Sequence, residues 1–287
     1  MKFSQWAPKR KVEESYHIEL SRLVDGFEKI IRHLDLMSPY GIMERLQAYV
    51  DTDFFREFAE AAATRMVTGL QIGQMQTWKE AAKESMQGRM IYQALQKELH
   101  GHTGMVMQRI IRENARLIAT FPQQISKEVN SFISRESVKG RRAENIAKDL
   151  KTQFPKVAKS RLQLIARTET SKASTALTRA RADDLGLAWY IWRTSEDQRV
   201  RSAHRHMDKV LINWNEPPSP EGLAHLKDYG KYHAGDTFNC RCYPAPIINL
   251  NLVRWPAKVY RGGQIHNNVT RAQFERLGAS GRFQFAA

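Results

Sequence analysis

Cysteine is nearly absent: the 287 residues hold two, Cys240 and Cys242, one residue apart. That excludes a disulfide-stapled scaffold, and a bridge across a single intervening residue is strained and rare. Two thiols so close suit a soft metal or a buried pair. Long apolar runs are missing too. None approaches the roughly eighteen residues that span a bilayer, so no membrane contact is expected. The opening Met1-Lys2-Phe3-Ser4-Gln5-Trp6 is basic but lacks the apolar core of a secretory signal, which predicts folding in a cytoplasm. Catalytic signatures are also lacking: there is no H-E-x-x-H, no glycine-rich phosphate loop and no G-x-S-x-G. Paired acids such as Glu196-Asp197 have no partner cluster for two-metal chemistry. The sequence thus gives an enzyme no positive support, and none is expected.

Proline is thin over the first 185 residues, where only Pro8, Pro39, Pro122 and Pro155 occur, and good helix formers dominate. Ile18, Leu20, Leu23, Phe27, Ile30, Ile31 and Leu34 recur at helical steps and predict an amphipathic helix. Ser38-Pro39 reads as a cap followed by proline in the first turn. Thr77-Trp78-Lys79-Glu80 reads as a capping box opening a helix towards Leu99. Gly101, Gly104, Gly140, Pro122 and Pro155 mark the expected breaks. A long helix is predicted from Lys156 to about Asp184, closed by Gly186. The small residues between Glu57 and Gly73 predict close helix packing in a bundle.

The texture changes after Gly186. Leu187 to Thr194 is aromatic and β-branched, hence a strand, and Val210 to Trp214 is a second. A loop with Pro217, Pro218 and Pro220 follows, then a loop bearing His and Gly that leads to Cys240. From about Val253 the chain alternates weakly and closes on Phe283-Gln284-Phe285, as a docking tail or a last strand. The expected class is α+β: a helical region (1–155), a module of one long helix and a small α+β domain, zinc-stabilised if its His/Cys cluster holds metal (156–250), and an extension (251–287).

Acid is the scarcer charge. Lys and Arg number 45 against 30 Asp and Glu, a net +15, which favours a polyanionic neighbour such as nucleic acid. The excess is concentrated. Residues 139–167 carry nine bases (Lys139, Arg141, Arg142, Lys148, Lys151, Lys156, Lys159, Arg161 and Arg167) against two acids, Glu144 and Asp149. With no base-reading motif, non-specific phosphate contacts to double-stranded DNA are expected.

Four residues with zinc-ligand chemistry, His204, His233, Cys240 and Cys242, fall within 39 positions. Thiolates and imidazoles suit one structural zinc, although C-x-C is tighter than the usual C-x-x-C knuckle, and His206 and His225 are spare candidates. Buried thiols with hydrogen-bonding histidines remain the alternative. His204-Arg205-His206-Met207-Asp208 also has the H-x-H-x-D form of di-zinc hydrolases. Lys209 stands where that pattern continues with histidine. A metal-dependent hydrolase or nuclease built on His204, His206, His233, Cys240 and Cys242 is therefore the second functional reading.

Several strings occur in order. Ile165-Ala166-Arg167-Thr168-Glu169-Thr170 precedes a helix and an aromatic strand ending Trp192-Arg193-Thr194. Asp197-x-Arg199-Val200-Arg201-x-x-His204-x-x-Met207-Asp208 follows, then His233-x-Gly235-Asp236-x-x-Asn239-Cys240-Arg241-Cys242. Over about residues 140–248 this resembles the phage Mu F-like head-morphogenesis (minor capsid) family. The resemblance implies a virion protein, associated with the portal inside the capsid and assembled in the host cytoplasm. It implies contacts with major capsid or scaffolding protein and with packaged DNA. It gives structural roles to His204, His233, Cys240 and Cys242 as a clamp on three loops. Arg167 or Glu169 is expected to pair with Asp197, Arg199 or Arg201, and Arg241 with Asp208 or Asp236. Asn239 belongs to the closing signature. Many family patterns have Gly where this chain has Lys209, which singles out that turn.

Overall fold

The computed structural model describes residues 3–32, 44, 48 and 52–279. The chain divides into two compact units, each assembled from separated stretches. The first comprises residues 1–9, 69–108 and 168–287, the second residues 10–68 and 109–167. Leu34, the cap predicted at Ser38-Pro39 and the closing Phe283-Gln284-Phe285 lie outside the described residues.

The helices are α1 (Arg10–Arg32), α2 (Asp53–Lys83), α3 (Gly88–Lys97), α4 (His102–Val138) and α5 (Ala143–Asp184). The second unit is built from α1 and segments of α2, α4 and α5. Its core takes Leu20, Leu23 and Val24 from α1, Ala59, Ala62, Ala63 and Met66 from α2, Ile118, Phe121, Ile125 and Val129 from α4, and Leu150, Ala158 and Leu162 from α5. Spacings of three and four residues put each set on one face. Buried Tyr16 donates to Asn114 Oδ1 at 3.3 Å, and Glu19 pairs with Arg65 at 2.7 Å.

Several expected breaks are absent. Pro122 lies inside α4 and Pro155 inside α5. An internal proline costs about 3 kcal/mol. The apolar stripe runs through both sites, with Ile118, Phe121 and Ile125 around the first and Leu150, Ala158 and Leu162 around the second, all buried. Burying several such side chains outweighs one lost backbone bond. The long helix therefore begins at Ala143, not Lys156. Gly104 is likewise helical. Thr77 opens nothing: it sits inside α2, and its hydroxyl donates to the Gln5 carbonyl at 3.0 Å. Gly140 and Gly186 do close helices, at φ of +72° and +67°, where a side chain would be strained.

The first unit holds a five-stranded sheet in the order β3-β1-β2-β4-β5. The strands are β1 (Trp189–Arg193), β2 (Val210–Asn213), β3 (Tyr243–Pro246), β4 (Ala257–Arg261) and β5 (Gln264–Val269). β2 and β4 are parallel; the other neighbouring pairs are antiparallel. The stretch after residue 250 thus enters this sheet, adding β4, β5 and the closing helix α8 (Arg271–Ala279). Phe274 of α8 is fully buried against Trp189 and Trp255, at centroid distances of 5.0 and 5.3 Å. β1 is an interior strand, between β3 and β2, and Trp189 to Trp192 are all buried, as a strand covered on both faces requires. Short helices α6 (Ser202–Met207) and α7 (Pro220–Leu223) flank β2 in the chain.

Candidate functional site

His204, Cys240 and Cys242 meet in the first unit. Helix α6 supplies the imidazole, and the turn entering β3 supplies both thiols. The three are 2%, 3% and 2% exposed, and their ligand atoms lie within 4.8 Å of one another. His204 Nδ1 is 3.5 Å from Cys240 Sγ and 3.4 Å from Cys242 Sγ. The Cys242 backbone N–H points at Cys240 Sγ at 3.4 Å. A hydrogen bond from Cys242 and the nearby His204 hold the Cys240 thiol well below its ordinary pKa. The same bond, with burial, pushes Cys242 up.

The other side of the imidazole is fixed by residues that sequence reasoning missed. His204 Nε2 is 2.9 Å from the Tyr232 hydroxyl, which donates to Glu221 Oε2 at 2.5 Å. Glu221 Oε1 is 3.4 Å from the same Nε2. A hydroxyl has one proton, and Tyr232 gives it to the carboxylate. Its oxygen therefore accepts from Nε2–H, which leaves the Nδ1 lone pair facing the two sulfurs. Nothing in the sequence marked Glu221 or Tyr232, because their pairing exists only once α7 and its following loop fold over α6.

His233 lies outside this group. It is buried, with Nδ1 3.1 Å from the Tyr190 hydroxyl and its ring 5.1 Å from that of Trp214. His206 and His225 are exposed and outside the group as well. The loop carrying His233 and Asn239 is held by α5. Thr175 Oγ1 donates to the Ala234 carbonyl at 2.7 Å, and the Asn239 N–H donates to Thr168 Oγ1 at 3.0 Å.

Residues 123–244 match the model of the family described as Phage Mu protein F like protein. Over these residues the chain is similar to the phage Mu F-like family. The family is one of phage head morphogenesis. A protein of Haemophilus influenzae (strain ATCC 51907 / DSM 11121 / KW20 / Rd), described as an uncharacterized protein, is 30% identical over 138 residues. The match covers 48% of the chain and only 28% of that relative's length. No solved structure matches the chain.

Within the matched segment, the ion pair of Arg241 differs from expectation. Arg167 pairs with Glu13 of α1 at 3.3 Å, and Glu169 with Lys172 at 3.6 Å. Arg241 takes neither Asp208 nor Asp236; it reaches Asp197 at 2.7 Å. Asp208 instead accepts from the Thr194 N–H at 3.0 Å and hydroxyl at 3.3 Å. Arg201 donates to the Phe238 carbonyl at 2.8 Å, and the Arg199 N–H donates to Asp197 Oδ1 at 2.9 Å. Lys209, at the family's glycine position, has φ of +67°.

The basic cluster belongs to the second unit. Lys139 and Arg141 are 2.9 Å from Glu136, whose carboxyl they hold at about 2. Arg141 also reaches Asp149 at 2.7 Å. Lys159 pairs with Asp25 at 3.3 Å, and Arg161 with Glu128. Among the described residues, Arg142, Lys148, Lys151 and Lys156 form no ion pair with an acid, and all four are exposed. Among the described residues no helix is long and apolar enough to cross a membrane.

Proposed function

We propose that the chain is a minor head protein without catalytic activity. It works beside the portal during procapsid assembly, also touching major capsid or scaffolding protein, and ends inside the capsid against packaged DNA. The family match supports head morphogenesis. The observation that carries the DNA contact is the exposed face of α5. At 3.6 residues per turn, Lys148, Lys151, Lys156 and Lys159 fall within roughly 140° of the helix circumference. The first three form no ion pair among the described residues, and Lys159 has one surface partner, Asp25. A row of exposed ammonium groups suits phosphates along a duplex, where affinity is salt-dependent and sequence-independent.

The hydrolase alternative draws no support from the arrangement, because the cluster gathers neither His206 nor Asp208. Two experiments test the proposal. Co-expression with portal, scaffolding and capsid proteins should incorporate the chain into procapsids, and incorporation should require the portal. A duplex-binding assay should give a steep fall of affinity with salt. Unchanged incorporation without portal, or binding that Lys148→Gln, Lys151→Gln and Lys156→Gln together leave unaltered, would overturn the corresponding part.

A further inference from the structure

The geometry points to a zinc ion held by His204 Nδ1, Cys240 Sγ and Cys242 Sγ, with Glu221 and Tyr232 as the groups that aim the imidazole. This inference stands apart from the head-assembly reading and rests on three independent observations.

The first is spacing. Zinc binds imidazole nitrogen at about 2.0–2.1 Å and thiolate sulfur at about 2.3 Å, so tetrahedral angles place the two donors roughly 3.5–3.6 Å apart. The observed separations from Nδ1 are 3.5 and 3.4 Å to the two sulfurs. A C-x-C pair reaches this geometry because Asn239, at φ of +51°, turns the chain just before it.

The second is the tautomer. The Tyr232–Glu221 chain draws the proton to Nε2 and leaves Nδ1 as a bare donor aimed between the sulfurs. A carboxylate that orients a metal-binding histidine from its far nitrogen is the usual second layer of a zinc site. Without a cation, the arrangement buries an acid beside an imidazole and two thiols for no gain in packing. Zinc on Nδ1, its charge balanced by the two thiolates, would make Nε2–H a stronger donor towards Tyr232 and Glu221.

The third is burial. All three donors are at most 3% exposed, and they join α6 to the turn before β3 in a domain whose strands have four to six residues. Small sheets of this kind gain much from a metal staple. Burial inside the domain gives the ion a structural role, with the fourth tetrahedral position left to a non-protein ligand such as water. Three protein ligands make this set differ from the four proposed from sequence: His233 is excluded, being engaged with Tyr190.

The test uses the full chain purified with zinc and without chelator. Elemental analysis should find about one zinc per chain, and X-ray absorption should show two sulfur scatterers near 2.3 Å with lighter atoms near 2.0–2.1 Å. H233Q should keep the metal. E221Q and Y232F should weaken zinc roughly 10–100-fold in competition with a chromogenic chelator, with circular dichroism unchanged at saturating zinc. Should C240S and C242S fail to fold, the wild-type chain answers instead. Stripping zinc should expose both thiols to a colorimetric thiol reagent, and re-adding zinc should protect them. A folded, zinc-replete preparation with under about a tenth of an equivalent bound, an absorption spectrum without sulfur, or a folded H233Q that loses the ion would each overturn the assignment.

Discussion

Arg181 of α5 and Glu98 form a two-pronged ion pair, at 2.6 and 3.0 Å, with side chains only 2% and 3% exposed. The remaining valences are filled. Gln71 donates to Glu98 at 2.6 Å, and Arg181 donates to Gln74 Oε1 at 2.6 Å. Gln74 in turn donates to the Ser174 carbonyl at 2.8 Å. Two buried charges are tolerated because each is paired and further hydrogen-bonded by Gln71 and Gln74. Removing one partner strands the other, so R181M or E98Q should each cost roughly 3–5 kcal/mol. R181M together with E98L should recover most of that loss. All six tryptophans lie in this unit, so urea unfolding followed by indole fluorescence reads it directly. A double variant whose loss equals the sum of the two single losses would show that the pair is not coupled.

Gly235 is a close approach of the His233–Cys242 loop to α5. A β-carbon there would lie 2.5 Å from Thr175 Oγ1 and 2.8 Å from the Cys242 carbonyl, at φ of +86°. G235A should therefore destabilise the unit by well over about 1 kcal/mol. T175A should cost about 1 kcal/mol through the lost bond to the Ala234 carbonyl. Combining the two should not restore wild-type stability, because the carbonyl clash and the φ strain remain.

Much of this was legible in residue order. The helix-rich start, the aromatic strand near Trp189, the second strand from Val210 and the closing glycine at Gly186 follow from periodicity and backbone sterics. The breaks at Pro122 and Pro155 were misread because local rules see the lost hydrogen bond and not the buried stripe on either side. At the site, C-x-C and His204 stood out by residue type. Glu221 and Tyr232 did not, since a carboxylate and a phenol signify nothing until an imidazole is placed between them and the thiols. Charge partners were the least legible: Arg241–Asp197 and Arg167–Glu13 depend on which loops and helices come together.

Lys209 occupies the left-handed region with its side chain exposed, and its N–H donates to the Trp192 carbonyl at 2.8 Å. An L-residue there carries about 1–2 kcal/mol of strain. K209G should raise the stability of the sheet unit by about 1 kcal/mol, and K209V should lower it, because a β-branched residue resists positive φ more strongly. The order Gly above Lys above Val in thermal or urea midpoints checks the conformation, and any other order contradicts it.

The basic residues of the second unit should separate into two classes. Lys148, Lys151 and Lys156 form no ion pair among the described residues, so each neutralisation should lower the slope of log affinity against log salt by up to about 0.9 for duplex DNA. Arg141 is bound between Glu136 and Asp149. R141Q should leave the salt slope nearly unchanged and instead reduce stability, as Glu136 loses a partner. Equal effects of R141Q and K151Q on the slope would show that the acids do not occupy Arg141.

His233 should make the sheet unit acid-sensitive in a defined window. Burial, with the Arg179 charge, lowers its pKa to about 4. The Tyr190 hydroxyl accepts from the Ala234 N–H at 3.4 Å and can give its proton to Nδ1, which suits a neutral ring. In the unfolded chain the imidazole titrates near 6.5. Between about pH 6.5 and 4 the unfolded state therefore binds more protons, and stability falls as pH falls. The full loss is on the order of 3 kcal/mol. Asp183 and Asp236, whose pKa values burial raises, act in the opposite direction. The difference between wild type and H233Q isolates the histidine. That difference should be constant above pH 7 and shrink from pH 6.5 to 4, because only the wild type loses this contribution. A difference that stays flat across the window would mean that His233 is charged in the folded protein or accessible to solvent.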